Sequence, residues 1–299
     1  MAEYNDTAAR RKSFSELMAG LQKRAAQAQA AADQRAADTP RQMFLPGFDI
    51  GAMPNHLNRS SFIAPIARGR RKFHRETVMV SRVDCLLEYT GEQLDEADGD
   101  LIMALIFLAG SQPLGTPVPL NRAELLRKIR RSTGKQQYEW LHRRMRALTA
   151  GTLYIEAKKP DGAPRYKIGR STAFHILSGF NYDEDAETYS YTLDPRWVLM
   201  FGNREYSLID WDKRMQIGRG QDMAKTLQRL VATSNDNPQR YALDWLKDKM
   251  EYAGRLRDFR DALARAVQEL ERLEIVAKGR IETSTKGKEQ LTLWLQPSG

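Results

Sequence analysis

The feature that most constrains this chain is an amphipathic stripe near its C-terminus, followed at once by two strand-length segments. Leu256, Phe259, Leu263, Val267, Leu270 and Leu273 recur at helical spacing, which puts them on one face of a single long helix. Ile275 to Ile281 and Gln290 to Leu295 then read as strands around the basic tip Lys286-Gly287-Lys288. Two helices are predicted ahead of the long one. Asp222 to Thr233 turns Met223, Leu227, Leu230 and Val231 inward, and Tyr241 to Met250 follows it. Helix, helix, helix, hairpin is the order of a winged helix.

The same order is legible once before. Thr77 to Val80 and Cys85 to Tyr89 read as short strands, and Leu101 to Leu108 as a buried helix. Pro117-Val118-Pro119-Leu120 is an extended piece that tolerates its prolines only at a sheet edge. Asn121 caps a helix running to about Arg130. After Thr133-Gly134 a further helix places Tyr138, Leu141, Met145 and Leu148 on one face. Strands are predicted at Thr152–Ala157, Arg165–Ile168, Phe174–Leu177 and Thr188–Leu193, with Pro160-Asp161-Gly162 as the turn between the first two. The fold class that follows is α+β and helix-rich, with two tandem winged-helix domains. The repetition is one of architecture, since the halves share no residue-by-residue repeat.

The N-terminal part has a different character. Ser13 to Ala37 is rich in Ala, Gln and Arg and predicts partial helix with little to bury beyond Leu21. Thr39 to Arg70 carries Pro40, Pro46, Gly47, Gly51, Pro54, Pro65 and Gly69, a density of breakers that predicts an extended linker. The expected organisation is a largely disordered, partly helical arm over 1–70, a first winged helix over 71–207 and a second over 208–299.

Charge narrows the function. Lys and Arg number 47 against 38 acidic residues, for a formal net charge of +9. That balance favours a polyanionic partner, nucleic acid before membrane. The basic residues also cluster. In the second unit, turning the apolar stripe inward leaves Arg257, Asp258, Arg260, Asp261 and Arg265 outward. Arginine grips guanine O6 and N7 bidentately, so Arg257 and Arg260 are the base-reading candidates. Arg255, Lys286 and Lys288 suit phosphates, which fix register without reading sequence. A solvated face laced by pairs such as Asp261 with Arg265 is the competing explanation.

The first unit is more lopsided. Arg122, Arg127, Lys128, Arg130, Arg131, Lys135, Arg143, Arg144 and Arg146 face only Glu124 and Glu139 over the same stretch. Gln136 and Gln137 stand where adenine could be read, and Lys158, Lys159, Arg165 and Lys167 flank the hairpin as phosphate contacts.

Chemistry is hard to place on this sequence. The segment Gly220 to Thr226 holds Lys225 but lacks the glycine spacing of a phosphate-binding loop. His56, His74, His142 and His175 are scattered, without the histidine pair of a strand-nicking relaxase. Cys85 is the only cysteine, so no internal disulfide forms and a reducing compartment is expected. Asp95-Glu96-Ala97-Asp98 reads as a charged helix start. No enzyme activity, metal or cofactor is expected. The longest apolar run, Leu101 to Ala109, is too short to span a bilayer, so a cytoplasmic protein is expected.

Three separated pieces carry a resemblance. They are Ala52-Met53-Pro54-Asn55 with Arg59-Ser60-Ser61, then Thr90-Gly91-Glu92-Gln93-Leu94-Asp95-Glu96-Ala97-Asp98, and Pro113-Leu114-Gly115-Thr116-Pro117. In this order they resemble the TrfA-type replication initiators of IncP-like plasmids, over most of the chain. The resemblance implies binding to iterons, the direct repeats of a plasmid origin, and opening of an adjacent AT-rich tract. It further implies the host initiator DnaA, the replicative helicase, a monomer–dimer equilibrium tied to copy control, and single-stranded AT-rich DNA as a second nucleic-acid ligand. Family members also carry a sliding-clamp motif before the first piece. Gln42-Met43-Phe44-Leu45-Pro46 occupies that place, with Pro46 where the motif has phenylalanine. Gln290-Leu291-Thr292-Leu293-Trp294 fits the motif better in letters but falls in the last wing strand, where it should be paired. The alternative is a winged-helix transcriptional repressor with no role in replication.

Overall fold

The structure is a computed structural model that describes residues 27, 45, 47, 49–66, 71–158, 162, 164–168, 174–183, 188–202 and 205–297. Apart from Gln27, the helix expected over Ser13 to Ala37 lies outside these residues. The chain divides after Met43, and the folded unit is Phe44–Gly299.

In chain order that unit contains β1 (Ala52–Pro54), α1 (Asn55–Arg59), β2 (Phe73–Val78), β3 (Cys85–Glu92) and α2 (Glu96–Ala109). Next come β4 (Val118–Leu120), α3 (Arg122–Lys128) and α4 (Lys135–Ala150). The strands β5 (Thr152–Lys158), β6 (Pro164–Ile168), β7 (Phe174–His175), β8 (Leu177–Asp183) and β9 (Thr188–Leu193) follow. Then α5 (Trp197–Phe201), β10 (Tyr206–Leu208), α6 (Trp211–Gln216), α7 (Asp222–Val231), β11 (Gln239–Ala242) and α8 (Leu243–Lys249) lead to α9 (Leu256–Arg272), β12 (Lys278–Thr283) and β13 (Glu289–Trp294).

The second unit is a winged helix of compact form. Its helices α7, α8 and α9 pack on a three-stranded antiparallel sheet of order β11-β13-β12. Phe259, Leu263, Val267 and Leu270 of α9 are buried, as the stripe predicts. Each such side chain contributes roughly 1.5–3 kcal/mol on burial. Gly279 lets the wing close on this helix, because a Cβ there would stand 2.5 Å from Val267 and 2.7 Å from Leu293. Tyr241 and Ala242, expected to open a helix, instead end β11, with Tyr241 opposite Leu291. The alternation of Gln239 and Tyr241 inward with Arg240 and Ala242 outward has the period of a strand. The segment Gln290 to Trp294 lies in β13 and is paired on both sides, to β11 and β12.

The first unit keeps the helix order but splits the sheet. Asp95 caps α2 and forms a reciprocal capping box with Asp98. Asn121 caps α3 through the Glu124 amide at 3.0 Å. β4 pairs with β9, not with the hairpin that follows α4, and stands at the edge of the sheet β4-β9-β8. Pro119 points out of that edge, where its missing N–H costs no ladder bond. The hairpin β5–β6 instead extends through β3 to β2.

The region expected to be an extended linker belongs partly to the fold. Leu45, Ala52, Met53, Leu57, Phe62, Ile63 and Ala64 are buried, and β1 pairs with β10 in register Met53 to Ser207. Gly51 lies in the turn that leads into β1 and Pro54 ends that strand, so these two breakers bound a short element and do not keep the chain extended. Apolar side chains spaced among breakers give no clean period, so burial was not readable from pattern.

This segment also helps join the units. Lys249 Nζ donates to the Ser60 carbonyl at 2.8 Å, and burial drives its pKa well below the usual lysine range, aided by the Arg229 charge. Around it lies a buried ionic network between α2, α6 and α7. Glu96 accepts from Thr226 Oγ1 at 2.6 Å and Arg229 Nη2 at 2.6 Å on one oxygen, and from Arg214 Nη2 at 2.8 Å on the other. Asp100 accepts from Arg214 and Lys225. Burial works against the Glu96 charge, but Arg229 and Arg214 outweigh it and hold its pKa far below the ordinary range.

Candidate nucleic-acid interface

The long helix of each unit is the element that would enter a groove. Arg255, at the N-cap of α9, is exposed, and so are Arg257, Arg260 and Arg265. Arg260 reaches Glu289 on β13 at 2.8 Å. Both partners are partly exposed, so the pair is worth about 0–1 kcal/mol and can yield to a base edge. The wing tip is a defined turn: Gly287 adopts φ +73°, and the Ser284 hydroxyl accepts from the Lys288 amide at 3.1 Å. Lys286 and Lys288 stand exposed on it. The structure thus gathers these second-unit residues along one helix start and one adjoining wing.

In the first unit the sequence-predicted residues fall into three groups. Lys135, Gln136 and Arg143 of α4 are exposed, as is Lys158 at the end of β5. These are free to meet a duplex. Arg130, Arg131, Gln137 and Lys128 are engaged locally. Arg130 donates to the Met215 carbonyl at 3.1 Å. Arg131 lies 3.6 Å over the Trp140 ring and donates to Gln137 Oε1 at 2.8 Å. Lys128 sits 4.8 Å over the Phe107 ring. Gln137 therefore has one acceptor site already taken.

Arg144 is a correction. It was expected on the DNA face, but its side chain is buried and forks onto Asp98, with Nε at 2.6 Å and Nη2 at 3.0 Å. Its Nη1 reaches Glu92 at 2.9 Å. Burial opposes the charge, yet Asp98 and Glu92 raise its pKa above the usual value. On α4 it shares a face with Leu141, Met145 and Leu148, which is why helical geometry, more than composition, decides its role.

The side chain of Arg165 lies outside the described residues, and so do Gln42, Met43, Phe44, Pro46 and Lys159. Leu45 is described and is buried at 3% exposure. It is thus a second correction, since the clamp motif needs that leucine on the surface.

Sequence reasoning missed Arg214, Arg219 and Arg229, and counted Arg122 in the basic run without assigning it a contact. Arg122 lies 4.7 Å over Tyr138 and 4.6 Å over Tyr189, on the flank of α4. A lone arginine at a helix start gives no signal of the rings that surround it. Among the described residues no group of three or more His, Cys, Asp or Glu could hold a metal ion. No helix among them is long and apolar enough to cross a membrane.

No protein-family model matches the chain, and no curated protein matches it. Solved structures do. Two crystal structures of domains 2 and 3 of RctB superpose on 82% and 81% of this chain, covering 99% and 97% of theirs, at TM-scores of 0.53 and 0.51 and identities of 10% and 12%. The Pi initiator protein in complex with iteron DNA matches 68% of this chain and 92% of its own at a TM-score of 0.47 and 16% identity. The RctB likeness establishes a shared fold for the two-domain unit.

Proposed function

We propose that the protein is a plasmid replication initiator that binds directly repeated sites in double-stranded origin DNA through both winged helices. The observation that carries this reading is the doubled winged helix, with an exposed arginine row on α9 and exposed cations on α4 and both hairpins. The resemblance of the three sequence pieces to TrfA-type initiators points the same way, and the RctB-like fold accommodates it. In this reading α9 supplies base readout through Arg257 and Arg260, and α4 supplies mainly charge. Binding energy and DNA strain open the neighbouring AT-rich tract, without a catalytic step in this chain. The host initiator DnaA, the replicative helicase and the sliding clamp complete the reaction in the bacterial cytoplasm, and self-association limits copy number. The buried Leu45 removes one anchor from the clamp contact, which leaves Gln42 to Phe44 to carry it.

The test is origin footprinting with the cognate plasmid. Tandem, same-direction protections beside an AT-rich tract support initiation. A single palindromic protection at a promoter would favour the repressor.

A further inference from the structure

A cavity of about 630 Å³ opens between the two units. One wall is the turn from α3 into α4, with Arg130 and Arg131. The other is the Gly218-Arg219-Gly220 connector between α6 and α7. Lys225 also lines it. Against these four cations stand two carboxylates, Asp100 and Asp222, and Asp100 is already paired with Arg214 and Lys225. The cleft is therefore net positive and open to solvent.

Three of its four cations, Arg130, Arg131 and Lys225, are held in place, which distinguishes it from a mobile surface cluster. Arg131 is pinned on Trp140 and Gln137, and Arg130 on the Met215 carbonyl of the opposite wall. Arg219 is exposed and has no hydrogen-bond or ion-pair partner among the described residues. Burial lowers the Arg131 pKa, and the Arg219 charge lowers it further against the pull of Asp95, Asp100 and Asp98. Two guanidiniums lining one solvent-open gap, Arg131 and Arg219, can be bridged by a bound anion through charge-assisted hydrogen bonds. The same gap faces the N-terminus of α7, a ten-residue helix whose N-cap Gln221 makes no side-chain cap bond. That end carries partial positive charge. Gly220, at φ +81°, has no atom within 4 Å of where a Cβ would stand, so a ligand can approach the backbone closely.

We infer that this cleft binds a phosphate diester of the DNA backbone, gripped by Arg219 together with Arg130 and Arg131. The cleft borders Gln137 in the first turn of α4, so a strand passing the start of that helix is within its reach. The inference rests on the proposed DNA-binding function and adds a contact made by the junction itself, outside either reading helix. Its role would be to make affinity depend on both units keeping their relative placement.

The experiment compares the full-length protein with Arg219→Ala, a change at an exposed, unpartnered side chain. Binding to the cognate repeats is measured from low to moderate salt, with phosphate-ethylation interference on the same fragments. The expected result is weaker binding on cognate and random duplex alike and a salt slope shallower by about 0.9, one phosphate's worth. One ethylation site that blocks the wild type should become silent in the variant. An unchanged slope and interference map, with wild-type binding intact, would overturn the cleft alone. Wild-type protein that binds no repeat would overturn both this inference and the function beneath it. Titration with inorganic phosphate and with ATP separates the sources: saturable, Arg219-dependent binding of either, beside an unaltered DNA map, would make this a free-anion site and overturn the assignment.

Discussion

The two winged helices share one order of elements but spend their positive charge differently. On α9 of the second unit, Arg257, Arg260 and Arg265 all face solvent, and among the described residues the only ion pair they form is the exposed one between Arg260 and Glu289. On and around α4 of the first unit, Arg144 is consumed inside by Asp98 and Glu92, while Arg131 and Lys128 lie on aromatic rings. The sheets differ in the same sense. The second unit closes its wing with its own first strand, β11, whereas the first unit gives β4 to another sheet and braces its hairpin with β3 and β2. A high local count of arginine thus does not measure a DNA face. The first unit uses part of its cations to hold itself and its neighbour together, and the second leaves them available.

The largest effects should come from breaking the internal use of charge. Glu96→Ala leaves Arg214 and Arg229 buried without their shared carboxylate and should cost roughly 3–5 kcal/mol in urea unfolding. Arg144→Ala should cost less, about 1.5–3 kcal/mol, because Asp98 loses its two Arg144 hydrogen bonds but keeps Arg71 at 2.7 Å. Arg143→Ala, one residue earlier but exposed, should change stability by less than about 0.5 kcal/mol. Equal stability losses at Arg143 and Arg144 would erase the distinction drawn above.

The same network sets a pH dependence. The folded Glu96 pKa lies below its unfolded value, so its stabilisation is complete above about pH 4.5 and is lost as pH falls beneath it. Asp95 works in the opposite sense. Burial, and then the Asp98 charge, push it up to about 6 from 3.8, so its protonated form favours folding and that contribution fades as pH rises from 3.8 through 6. Asp95→Asn keeps a capping side chain and should flatten the stability profile over that window. A profile of unchanged shape in this variant would remove Asp95 from the account.

Smaller effects test how each unit binds. Arg260→Ala should relax specificity at one position of the repeat by about 1–3 kcal/mol. Arg143→Ala should weaken binding to all duplexes alike and make the salt slope shallower by about 0.9. Exchanged outcomes, with readout lost at Arg143 and only charge lost at Arg260, would reverse the roles assigned to the units. Gln136→Ala should exceed Gln137→Ala in its effect on binding, since Gln137 already accepts from Arg131.

Much of the architecture was legible because it rests on local periodicity. The α9 stripe, the Asn121 cap and the edge placement of Pro119 each follow from spacing or from one residue's chemistry. Tyr241 was misread because a four-residue strand running straight into a helix gives no separate signal. The site was legible only where a charged residue faces solvent. Arg144 on α4 and Arg229 on α7 occupy inward positions whose partners, Asp98 and Glu96, lie more than forty residues away in sequence. No local pattern connects them. The burial over most of Gly51 to Ala64 was hidden for the same reason, since its partners lie in β10, α7 and α8.

The central claim is that both units engage one duplex, with α9 reading bases and α4 holding the backbone. Hydroxyl-radical footprinting of the wild type on its cognate origin, paired with Arg260→Ala and Arg143→Ala, tests it most directly. Tandem protections of one orientation are expected, each spanning two adjacent major grooves on one face of the helix. Arg260→Ala should lose discrimination in one groove, and Arg143→Ala should weaken the other without changing which sequences are protected. Protection confined to a single groove, or one symmetric palindrome, would contradict it.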